Sequence, residues 1–143
     1  MTSSQVISRV LVREQLPVVI HGTVGCDLAA QASSLAQLLI DPYFRTYEGF
    51  QKLIEKEWIK NGHPFSSRCG HYGTKGRAAA PQAPVFAMWL DAVWQCTRQY
   101  PWEFEFNEAF LLVLAKHSFG SQYVNIDDPT LPHFPSESSR VGT

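Results

Sequence analysis

The residues with the clearest chemical potential lie in Pro17-Val18-Val19-Ile20-His21-Gly22-Thr23-Val24-Gly25-Cys26-Asp27-Leu28-Ala29-Ala30. An apolar run with β-branched residues enters a short loop with two glycines, and a helical pattern follows at once. A strand–loop–helix layout of this kind frames a phosphate cradle, because backbone N–H groups at a helix start point at an anion. A cradle of the cysteine type opens on a thiolate and carries an arginine six residues later. Here those two places hold Gly22 and Leu28.

The elements that must position this loop can be read from periodicity. Ser3 or Ser4 can cap a first helix with Val6, Val10 and Ile7 on one face. Leu16 to Ile20 reads as a buried strand, with Pro17 suited to its first position. Helical patterns run from about Asp27 to Ile40, with Leu28, Leu35, Leu38 and Leu39 as apolar marks, and from Tyr47 to Lys60, where Phe50, Leu53, Ile54 and Trp58 share a face. Asp41-Pro42 stops the first of these and Asn61-Gly62 the second. Ser66 to Pro84, rich in glycine and proline with Arg68, Lys75 and Arg77 between them, reads as an exposed loop. A further helix spans Pro84 to Tyr100 with Phe86, Trp89, Leu90, Val93 and Trp94 as its stripe. Asn107 caps another that carries Phe110, Leu111 and Leu114. No internal repeat is visible. A strand buried on both faces expects parallel neighbours, which this chain does not clearly offer. The expectation is therefore a partial α/β domain over 1–125, helix-rich with one core strand, and a loose tail over 126–143.

Composition narrows the function classes. The chain has 143 residues, 45% of them apolar, and a formal net charge of −1. That suits one packed core and argues against a strongly basic nucleic-acid binder, so no nucleic-acid partner is expected. The three cysteines, Cys26, Cys69 and Cys96, form no Cys-x-x-Cys, which favours reduced thiols and a cytoplasmic setting. No apolar run approaches the roughly 20 residues that span a bilayer. Met1-Thr2-Ser3-Ser4-Gln5 has no basic start followed by an apolar core, so no secretory leader is expected.

Several separate blocks resemble the myotubularin family, phosphoinositide 3-phosphatases of protein-tyrosine-phosphatase-like fold, together with their inactive relatives. Pro17 to Asp27 is similar to the catalytic loop, which reads His-Cys-Ser-Asp-Gly-Trp-Asp-Arg in active members. Arg45-Thr46, Gly49-Phe50, Glu55-Lys56-Glu57-Trp58, Gly62-His63 with Phe65, Pro84-Val85-Phe86, Leu90-Asp91 with Val93-Trp94-Gln95, and Phe104-Glu105-Phe106-Asn107-Glu108 continue the match in order. The resemblance covers about Val6 to Val124 and implies the C-terminal part of a phosphatase domain, with one core strand leading into the phosphate loop.

In active members the resemblance implies a thiolate that attacks phosphorus and an arginine that holds phosphate oxygens in a bidentate grip. This chain departs at both places, with Gly22 for the nucleophile and Leu28 for the arginine, and also at Val24 and Cys26. Of the family loop His21, Gly25 and Asp27 remain. Thr23 completes the degenerate set, and no catalytic residue is expected in it. Cys26 reads as a packing residue rather than a displaced nucleophile, since no arginine stands in register with it. Asp27 reads as a helix-start carboxylate rather than an acid without a nucleophile to serve. His63, His71 and Cys69 do not have recognised zinc spacing, so no metal and no cofactor is expected. Arg68, Lys75 and Arg77 are weak candidates for phosphoinositide headgroups. The resemblance implies a catalytically inactive regulator that pairs with an active family member, peripheral at endomembranes. The alternatives are a non-catalytic phosphoinositide-binding module and a residually active lipid phosphatase.

Overall fold

A computed structural model describes residues 3–22, 25–69 and 83–119. Helix α1 (Ser3–Arg9) continues as a wider π-helical segment, Val10–Glu14, which ends at Gln15 in the left-handed region (φ 54°). A π-helical turn, Gly25–Ala29, opens directly into α2 (Ala30–Ile40). A 3-10 turn, Pro42–Arg45, then leads into α3 (Tyr47–Ile54), which continues as a π-helical stretch, Glu55–Ile59. The single turn α4 (Phe65–Arg68), the long α5 (Val85–Gln99), a 3-10 turn (Pro101–Glu103) and α6 (Glu108–Phe119) complete the described residues.

The apolar stripes expected on the central helices build the core. Phe50, Leu53, Trp58, Trp89 and Val93 are all 0% exposed, and Leu38, Phe86, Leu90, Phe106 and Leu111 join them. Phe50 stacks on Trp89 with ring centroids 5.3 Å apart and planes 8° from parallel. Trp58 meets Phe86 edge-on at 5.0 Å. Burying each such ring contributes roughly 1.5–3 kcal/mol.

Helix α1 packs differently from its expected pattern. Ser4 is its buried residue, while Val6 is exposed. Ser8 donates its hydroxyl to the Ser4 carbonyl at 2.8 Å and approaches the Ala36 carbonyl of α2 at 3.4 Å. Small side chains at i and i+4 let the two helices approach closely, and that contact outweighs the valines.

The expected core strand does not form, and no β-strand occurs among the described residues, so the α/β expectation gives way to a helical architecture. Leu16 to Gly22 has no regular structure, and residues 17–22 make no hydrogen bond within the described set. Leu16 is 53% and Val19 86% exposed. The physical reason is the missing partner: a strand is defined by its ladder, and an apolar run without a neighbour has nothing to pair with. The expected loop over 66–84 begins with α4, and residues 70–82 lie outside the described residues, as does the tail. No described helix is long and apolar enough to cross a membrane.

Candidate functional site

The paired blocks downstream of the loop prove to be joints of the scaffold. Arg45 closes the C-terminus of α2: its Nε and an Nη donate to the Leu38 and Leu39 carbonyls at 3.0 and 2.9 Å. Its other Nη reaches Glu103 at 2.8 Å. A guanidinium satisfies two orphan carbonyls and one carboxylate at once, which the single ammonium of lysine cannot do in that fork geometry. Thr46 then caps α3, accepting from the Gly49 N–H at 3.0 Å. Gly49 must lack a side chain, because a Cβ there would lie 1.9 Å from the Tyr43 carbonyl oxygen. Glu105 accepts from the Tyr47 N–H at 2.8 Å, tying the approach to α6 onto the start of α3.

The second block holds the loop itself. Glu57, 6% exposed, accepts from Gln37 of α2 at 2.9 Å and lies 3.2 Å from Lys56. Gly62 takes a left-handed φ of 72° just past the helix end, where a Cβ would be strained. That turn swings His63 back, edge-on to the Trp58 ring at 4.9 Å and to Phe65 at 4.7 Å. Its Nδ1 donates to the Cys26 carbonyl at 2.9 Å.

The degenerate loop sits on this framework. His21 and Gly22 are exposed, and Thr23 and Val24 lie outside the described residues. Gly25 begins the helical turn, and Cys26 is half-buried. Leu28, expected at the arginine position, points away from the protein with 73% of its surface exposed. Asp27 faces inward. One carboxylate oxygen is ion-paired with Arg68, and the other lies 3.2 Å from His63 Nδ1, whose hydrogen goes to the Cys26 carbonyl. Among the described residues the partners of this carboxylate are thus side chains of α4 and of the turn before it, where the sequence suggested a cap of its own helix.

Charge placement decides what the loop can hold. Arg68, expected among the headgroup cations, has a side chain only 14% exposed and is engaged by Asp27, so an anion would have to displace that carboxylate. Lys75 and Arg77 fall outside the described residues. An open groove of about 640 Å³ lies between residues 18–20 and α2, with Cys26, Ala29, Ser33 and Asn61 on its walls, and the charged residue lining it is Glu57. A groove lined by a carboxylate repels phosphate. Burial pushes the Cys69 and Cys96 thiols up, keeping both protonated and poorly nucleophilic. Burial also holds His63 below the ordinary histidine value, so the ring is neutral near pH 7.

Sequence reasoning singled out the loop but not the partnership of Asp27 with His63 and Arg68. The signal available in the chain was the Gly62-His63 and Phe65 block, which puts a histidine close to an aromatic residue just past a helix end.

The chain is similar in sequence to known proteins. The family described as the Myotubularin-like phosphatase domain matches residues 1–126. Myotubularin-related protein 9 of Mus musculus is 44% identical over 123 residues, covering 86% of this chain and 23% of that protein. Phosphatidylinositol-3,5-bisphosphate 3-phosphatase MTMR4 of Xenopus laevis is 43% identical over 121 residues, 85% of this chain and 11% of its own length. Myotubularin of Xenopus laevis is 47% identical over 106 residues, 74% of this chain and 17% of its own. The chain spans less than a quarter of each of these relatives.

Proposed function

The chain belongs to the myotubularin family, and from that premise we propose that it is a catalytically inactive phosphatase module that regulates an active phosphoinositide 3-phosphatase of the same family by forming a heteromer with it. One observation carries this reading: Gly22 and an outward-pointing Leu28 stand where the reaction needs a thiolate and a guanidinium. Loss of a nucleophile alone costs about 10⁶ in kcat in triad enzymes, and here the group that would hold the developing charge is absent as well. The scaffold around the loop is intact: Arg45, Thr46, Gly49, Glu57 and His63 all make contacts that position helices. Retention of scaffold with loss of reagents is what a binding role requires.

The test combines activity and association. The purified chain is assayed for phosphate release from phosphatidylinositol 3-phosphate and 3,5-bisphosphate, then mixed with an active family member and examined by co-purification. No release by the chain alone, with stable co-purification, is the expected result. Turnover that disappears in Cys26→Ser overturns the inactive assignment, and absence of any complex overturns the regulatory one.

A further inference from the structure

His63 lies where three elements meet, and its side chain is 0% exposed. The turn Gly25–Ala29 reaches it through the Cys26 carbonyl at 2.9 Å and Asp27 Oδ1 at 3.2 Å. The end of the α3 extension offers the Trp58 ring, and α4 offers the Phe65 ring. The charged groups that face the imidazole are Asp27, and behind it Arg68, which are paired with each other. In the neutral ring Nδ1 carries the hydrogen given to the Cys26 carbonyl. Nε2 is then a bare lone pair, buried with no hydrogen-bond partner among the described residues.

We infer that His63 is a proton-operated clasp: neutral, it fastens the Gly25–Ala29 turn to the turn that precedes α4, and protonated, it releases the Gly25–Ala29 turn and reshapes the groove bordered by Cys26 and Ala29. Protonation turns the buried Nε2 into a charged donor with no acceptor beside the two aromatic rings, which costs far more than burying the lone pair. The opened turn returns the imidazolium to water. The sign follows from proton counting. Burial lowers the proton affinity of the closed form, so the open form binds more protons. The closed form is therefore at full strength above the ordinary histidine value of about 6.5 and weakens as pH falls below it. One proton limits the effect to about tenfold in the opening equilibrium per pH unit. The device holds whether or not the module regulates a phosphatase, since it rests on the clasp alone.

Amide hydrogen exchange of the full 143-residue chain tests it. Exchange over residues 25–29, corrected for intrinsic rates, is compared at about pH 7.5 and about pH 5.5, with α5 as the internal reference. Opening of 25–29 is expected to rise by up to about tenfold at the lower pH while α5 holds. In His63→Gln, whose amide can still donate to the Cys26 carbonyl but does not titrate, the rise is expected to vanish. Equal exchange at both pH values, or a rise that persists in His63→Gln, overturns the inference. Should His63→Gln fail to fold, a proton NMR titration of the His63 ring in the unaltered chain decides: a midpoint below that of a free histidine supports the clasp, and one at or above it overturns the clasp.

Discussion

Two glycines in this chain carry opposite lessons. A Cβ on Gly49 would meet the Tyr43 carbonyl at 1.9 Å, a backbone atom that cannot swing aside. Gly49→Ala should therefore cost about 3 kcal/mol or more, read as a fall in the urea midpoint at constant slope. Gly22 differs: a Cβ there meets nothing within 4 Å among the described residues, and its φ is not in the left-handed region. Gly22→Cys should leave stability within about 0.5 kcal/mol of the parent. Glycine at position 22 is therefore required neither by its own backbone conformation nor by a close contact among the described residues. Arg45→Lys belongs at the same scale. It keeps the charge but loses the fork on Leu38 and Leu39, and a loss of about 2 kcal/mol is expected in the same denaturation experiment.

At the level of elements, the helix ends were the most legible part. Asn61-Gly62, Pro101 and Asn107 all mark real boundaries, because caps and breakers act locally and need no knowledge of the fold. Gly62→Ala should cost about 1 kcal/mol, since its φ of 72° favours glycine over a residue with a Cβ, and thermal melts would show it. Apolar stripes were legible for the same reason in α5, where Phe86, Trp89, Leu90 and Val93 are buried as their spacing implies. Leu16 to Ile20 was misread because a strand is a property of two segments, and one segment's composition cannot reveal whether a partner is present. The buried face of α1 was misread because Ser4 and Ser8 pack by being small, which hydropathy does not register. Within the site, the identities of Gly22 and Leu28 are plain in the chain, whereas Asp27 and Arg68, separated by 41 residues, meet only in three dimensions.

Among the described residues of the whole molecule, an apolar segment stands uncovered. Leu16 and Val19 are exposed and residues 17–22 have unused backbone donors and acceptors among the described residues. Such a segment is a template for pairing with another extended chain, and a formal charge of −1 offers little repulsion against it. Sedimentation velocity should show self-association rising with concentration, and Val19→Lys should suppress it without changing the melt, because that side chain buries almost nothing in the monomer. A concentration-independent sedimentation coefficient would contradict this.

The four tryptophans divide unevenly between interior and surface: Trp58 and Trp89 are 0% exposed, Trp94 lies under Arg98, and Trp102 is 96% exposed on the 3-10 turn before α6. The protein therefore carries its own optical reporter. Collisional quenching by iodide should reach Trp102 and spare the two core indoles, so a binding partner that covers this end of the molecule would announce itself as emission that iodide no longer dims, with no label attached.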